Sequence, residues 1–245
     1  MIIERKCLMA GHSKWAQIKH KKASTDKKRS NLFGKLANTI TVAARSGTDP
    51  SMNPSLQMAI DRAKSENMPK DNIERAITRG GGSASGIQVE EMTYEIYGPS
   101  GIAILAMALT DNKNRTTAEV KAVINKFGGK IAGSGAVNFL FDQKGLMRVS
   151  IDGRGSENIE LVIIDSGAED YQKVGDEYLI YTKPKEVKET ADRITGQDLK
   201  IISSELVMDP KETVSLPEKE AEKVIKLLEA LDELDDVVGV NSNLG

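Results

Sequence analysis

The run Arg79-Gly80-Gly81-Gly82-Ser83-Ala84-Ser85-Gly86 divides this chain of 245 residues into two parts with different periodicities. A stretch built from glycine and serine reads as a flexible linker, so no single core is expected to cross it. Before it, apolar residues recur at three- and four-residue spacing, the signature of helix faces packed on one another. Phe33, Leu36, Ala37, Ile40 and Ala44 form one such face, which should end near Ser46-Gly47. Pro54 opens a second helix with Leu56, Ala59, Ile60 and Ala63 inward. Pro69 opens a third with Ile73, Ala76 and Ile77 inward. Proline is preorganised for the first helical turn. Residues 24–82 therefore read as a small helical bundle.

After the linker the pattern is mixed. Met92–Gly98 and Gly101–Asp111 flank a Gly-Pro-Ser-Gly turn and predict a β-hairpin, its second strand apolar almost throughout and hence central. A helix over Arg115–Phe127 should stop at Gly128-Gly129. Val137–Phe141 reads as a short strand. Residues 145–209 read β-α-β-β-α-β: strands near Gly145–Ile151, Asp170–Val174, Glu177–Thr182 and Lys200–Met208, helices near Ser156–Ser166 and Pro184–Thr195. That order is the ferredoxin-like split unit. A last helix carries Val224, Leu227, Leu228, Leu231 and Leu234, with Ser215 and Glu218 as a capping box, and Val237–Asn241 is a final strand. Residues 87–142 look incomplete alone, and 211–245 supply a helix and a strand without a partner. The economical arrangement is α+β in three domains. A bundle (24–82) is followed by a discontinuous α/β domain (87–142 plus 211–245), into which a ferredoxin-like α/β domain (143–210) is inserted.

Charge is distributed as unevenly as structure. Between Met9 and Arg45 stand nine basic residues against the single acid Asp26, a net +8; residues 1–8 add one, and the chain as a whole is −2, so residues 46–245 carry −11. A basic arm on an acidic body seeks a polyanion. Residues 9–23 have no clean helical period, and residues 1–23 are expected to be a flexible basic arm. Lys14, Lys19, Lys21, Lys22, Lys27, Lys28, Arg29 and Lys35 can neutralise phosphates, each contact releasing counterions. Trp15 and His20 lie among them. Trp15 is either a platform for unpaired bases or a helix-packing anchor. A second candidate surface is the loop Thr110–Thr117, with Lys113 and Arg115; its polar side chains suit an RNA backbone, or equally cap a helix through Asn114 or Thr116.

Other chemistries are poorly supported. Gly128–Gly135 lacks the Gly-Lys-Ser/Thr ending of a phosphate loop and precedes a strand. The only histidines, His12 and His20, lie in the arm, so the body has no general base of neutral pKa. Cys7 is the only cysteine, which excludes an intrachain disulfide and suits a reducing cytoplasm. The pair Asp235-Asp236 reads as solvated. No run of about 18 apolar residues suggests a membrane span. No cofactor, metal or small-molecule substrate is expected, and no helix-turn-helix pattern points to a specific duplex site.

The runs MAGHSKWAQIKHKKASTDKKR, LFGKLANTITVAARSG, NPSLQMAIDRAKSENMPKDNIERAI and YEIYGPSGIAILAMALTDNKNRT resemble the YebC family, and the likeness extends from Met9 to the C-terminus. Its members usually begin at the Met-Ala-Gly-His-Ser-Lys-Trp motif, which makes Met9 the expected start and residues 1–8 an extension. The resemblance implies a helical bundle with two α/β domains. It also implies a non-enzymatic, ribosome-associated factor that relieves stalling on proline runs, its arm, first helix and the loop at Lys113 and Arg115 facing rRNA or tRNA. The family's alternative role is DNA-binding transcriptional regulation. A cytoplasmic monomer is expected.

Overall fold

The computed structural model describes residues 14–19, 26–82, 89–151, 156–197 and 199–245. Three helices form the bundle: α2 (Asp26–Ala43), α3 (Pro54–Ser65) and α4 (Lys70–Gly81), preceded by a short α1 (Lys14–Lys19). Their buried faces include Leu36, Ile40, Leu56, Ile60, Ala63, Ile73 and Ala76, following the predicted spacing. Asn53 caps α3, its side chain accepting from the Leu56 N–H at 3.1 Å, and Pro54 stands at the first helical position. Pro69 fixes the entry to α4.

Gly80 and Gly81 belong to α4 rather than to the linker. Packing is the reason. A Cβ on Gly80 would fall on the Thr41 carbonyl oxygen and within 2.6 Å of the Ala44 Cβ, so the close crossing of α2 and α4 requires a glycine there. Gly80→Ala is accordingly expected to destabilise the bundle by about 1–3 kcal/mol through overpacking, against the usual gain when alanine replaces glycine in a helix. Urea denaturation of the two proteins checks the sign.

Past the linker, β1 (Glu90–Tyr97) and β2 (Ala103–Thr110) form the predicted hairpin, antiparallel from Glu90↔Thr110 to Tyr97↔Ala103. Helix α5 (Lys113–Lys126) follows, then a two-residue β3 (Lys130–Ile131) on the outer edge of β1. The chain next builds a second sheet from β4 (Phe141–Ser150), α6 (Ser156–Asp165), β5 (Asp170–Val174), β6 (Glu177–Thr182), α7 (Val187–Thr195) and β7 (Ile201–Pro210). Its order is β5-β6-β4-β7 with every pair antiparallel. Because β4 and β5 both oppose β6, they run parallel and α6 crosses between them, as a split β-α-β unit demands. Helix α8 (Glu218–Asp232) and β8 (Val237–Ser242) then return to the first sheet, whose order is β3-β1-β2-β8. The fold is α+β. β2 is central, and its residues are buried nearly throughout.

Three details depart from expectation. The segment 137–141 is a 3₁₀ turn (Asn138–Leu140), and β4 starts at Phe141, four residues early, because Asp142–Lys144 pair with β7 despite their polarity. Helix α8 has no capping box: it begins at Glu218 after Pro217, and no side chain caps it. Helix α5 is capped by Asn112, whose side chain accepts from the Arg115 N–H at 3.1 Å, not by Asn114 or Thr116.

The turn that leads into β4 is fixed by a buried acid. The Glu95 carboxylate on β1 accepts from the backbone N–H groups of Gly135, Val137 and Asn138 at 2.5, 2.6 and 2.8 Å. Burial works to raise its pKa, but the three donors outweigh it and hold the carboxyl below its ordinary range. The glycine-rich stretch 128–135 is thus a tight connection anchored by an acid, with no arrangement for phosphate.

Candidate nucleic-acid interface

The basic segment is tied down on both sides. In α1, Trp15 is 4% exposed, packed into the core of the first sheet with Tyr94, Leu228 and Leu244. Its indole N–H donates to the Val240 carbonyl at 2.9 Å, and the Lys14 N–H donates to the Leu244 carbonyl at 2.8 Å. Trp15 is therefore a packing anchor and has no face to offer a base. The expectation of a flexible arm fails at Lys14–Lys19, because Trp15 and Ile18, three residues apart, give the short helix an apolar face for β8.

On the other side, α2 is moored to the turn after α8. The Asn31 amide donates to the Asp235 carboxylate at 2.8 Å, and the Lys35 ammonium donates to the Asp232 carbonyl. Lys35 thus faces the body as well as solvent. Between the two moorings run residues 19–29, with six basic side chains and one acidic one. His20, Lys21 and Lys22 lie outside the described residues, as do the side chains of Lys19, Lys27 and Lys28. The backbone of Lys27, Lys28 and Arg29 forms the first turn of α2. Basic residues there oppose the helix dipole and cost stability. The same placement puts basic residues at the positive end of an 18-residue helix, whose first N–H groups lack intrahelical acceptors, a combination that favours a bound phosphate. Arg29 is exposed, its guanidinium 5.5 Å from the centre of the Phe33 ring. Lys14 is exposed beside Trp15.

The second candidate surface is more committed than its composition suggests. Asp236, only 8% exposed, accepts on one carboxylate oxygen from Thr116 at 2.5 Å, Arg115 at 2.7 Å and Thr110 at 3.0 Å. Burial raises its pKa, and the hydrogen bonds from Arg115, Thr116 and Thr110 overcome that and lower it. Arg115 also reaches Asp111 at 3.0 Å. Asp236 is thus no solvated acid: it ties the end of β2, the start of α5 and the start of β8 together, and it holds Arg115 against the body. Lys113 pairs with Glu90 at 2.5 Å, both about half exposed. Such a pair is worth little in water and can exchange for a phosphate.

Among the described residues no group of three or more His, Cys, Asp and Glu side chains could hold a metal ion, and no helix is long and apolar enough to cross a membrane. Of these anchors, Trp15 is the packing anchor that was one of its two sequence readings, whereas Asn31 and Asp236 were not identified as anchors from sequence. Only Trp15 left a signal, in its spacing to Ile18.

Trp15→Ala removes the indole from its site, and the docking of α1 should weaken by about 3–5 kcal/mol. Amide exchange at β8 and the C-terminal residues should quicken while the bundle is unaffected. Trp15→Phe, which loses chiefly the hydrogen bond, should cost about 0.5–1.5 kcal/mol.

Comparison with known proteins follows the same layout. Residues 13–83 match the family model described as the TACO1/YebC protein N-terminal domain, and residues 89–244 match that of the TACO1/YebC second and third domain. A protein of Persephonella marina, named a probable transcriptional regulatory protein, is 47% identical over 96% of this chain and 95% of its own length. One of Halothermothrix orenii with the same name is 45% identical over 96% and 94%. The crystal structure of a conserved hypothetical protein from Aquifex aeolicus superposes with a TM-score of 0.88 at 45% identity, covering 95% of this chain and 97% of that one.

Proposed function

Because the chain belongs to the TACO1/YebC family, we propose that it is a non-enzymatic nucleic-acid-binding factor, a monomer acting on the ribosome in the cytoplasm. It would grip rRNA or tRNA through residues 19–29 and relieve stalling on proline-rich sequences. The observation that carries the binding part is the double mooring of that segment. Trp15 is fixed on one side and Asn31 and Lys35 on the other, and the sequence between these anchors carries six basic residues. Anchors at both ends lower the ordering entropy that an arm tethered at one end would lose on binding. Contacts of this kind go to phosphates and carry little sequence information. That suits a large folded RNA better than an operator. The role in proline stalls rests on the family resemblance.

A reconstituted translation system tests it. Adding the protein should shorten the pause on a reporter encoding consecutive prolines and leave a proline-free reporter unchanged. An unchanged pause would remove the stalling role. The second reading, a DNA-binding transcriptional regulator, is favoured by the names of the relatives. It predicts footprints at a few promoter sequences with affinity well above that for random duplex.

A further inference from the structure

A cleft of about 770 Å³ opens between the bundle and the second sheet. One wall is the end of α3, with Asp61, Lys64 and Ser65; the other includes Thr195 at the end of α7; residues 200–204, leading into and beginning β7, run along it. Among the described residues β7 pairs only with β4, and its outer edge carries no strand. Farther along, α3 lies beside that edge, with Arg62 on the Glu205 carboxylate. Since α3 stops at Ser65, its cover ends where the cleft begins. An open strand edge offers alternating N–H and C=O groups to another strand. The side chains here are also unspent. Among the described residues the Lys200 ammonium has no ion-pair partner, and the Ser203 and Ser204 hydroxyls make no hydrogen bond.

Two classes of polymer could fill such a cleft, and the charges separate them. Helices α3 and α7 both end at it, so their terminal carbonyls disfavour the repeated charges of a polyphosphate. Asp61 is paired with Lys64 at 3.8 Å, which leaves Lys200 as the lining's one cation without an ion-pair partner among the described residues. A polypeptide matches the edge with its own alternating donors and acceptors, and a single carboxylate side chain suffices for Lys200. We propose that this cleft is a strand-addition site for an extended, proline-free, acidic segment of a partner protein. Five residues, about 17 Å of strand, would span it. Backbone pairing would supply affinity and Lys200 the preference for acid.

The test is an NMR titration of the full ¹⁵N-labelled chain with the capped hexapeptide acetyl-Thr-Val-Glu-Val-Thr-Val-amide, together with amide exchange. At millimolar peptide, shifts and slowed exchange should concentrate at residues 200–204. Lys200→Glu should weaken binding about tenfold, and replacing the peptide's glutamate by lysine should restore it. A peptide N-methylated at alternate positions should not bind. The absence of shifts at 200–204, or equal binding of the N-methylated peptide, would overturn the proposal. So would an oligouridylate RNA that moves the same amides when the peptide does not, which would make the cleft a phosphodiester site.

Discussion

Replacing Lys19, Lys21, Lys22, Lys27, Lys28 and Arg29 together by Glu should weaken RNA binding more than about a thousandfold at moderate salt. The wild-type dependence of log K on log salt should have a slope of about −4 for a single strand if all six residues contact phosphates, and the variant should lose it. Loss of binding through unfolding is distinguishable, because three of the substitutions fall in the first turn of α2. Acidic residues there complement the helix dipole, by about 0.3–1 kcal/mol each. The variant's bundle should therefore be at least as stable toward urea as the wild type. Retained binding would show that the anchor lies elsewhere, with Lys113 the next residue to examine.

Asp236→Ala should be the most damaging single substitution in the first sheet. It strips the acceptor from the buried Thr110 and Thr116 hydroxyls and from Arg115 at once, while the exposed Arg115 keeps Asp111. Losing the charge-assisted bonds to the two buried hydroxyls costs about 1.5–3 kcal/mol each. Asp236→Asn keeps the shape and should cost less, about 1–3 kcal/mol. The carboxyl's pKa is lowered in the folded protein from the ordinary 3.8. Its contribution is therefore fully present above the unfolded value and is lost as pH falls below about 4 through the folded one. Wild type and Asp236→Asn should lose part of their difference in stability over that acid range, measurable by urea denaturation at stepped pH.

What the sequence made legible was whatever depends on neighbours along the chain. The helix faces of Leu36–Ile40, Leu56–Ala63 and Leu227–Leu231, the hairpin at Gly98–Gly101 and the split β-α-β order all follow from local periodicity and turn chemistry. The departures lie where a distant partner decides. Gly80 reads as a linker until α2 is laid against it. The polar start of β4 becomes strand only because β7 pairs with it. Asp236 reads as solvated until Thr110 and Arg115, more than 100 residues earlier, come alongside. For the candidate site, the charge polarity was evident from the residues alone. The moorings were not, since Val240 and Asp235 give no sign in sequence of the residues that use them.

A basic segment that serves the ribosome should tell ribosomal RNA from other polyanions. The most direct measurement is binding to purified ribosomes and to random duplex DNA at matched ionic strengths. Ribosome binding should persist near physiological salt, where affinity for random duplex has fallen to a Kd of about 10⁻⁴–10⁻⁶ M. Equal loss of both signals with rising salt would contradict it, reducing residues 19–29 to a general polyanion grip.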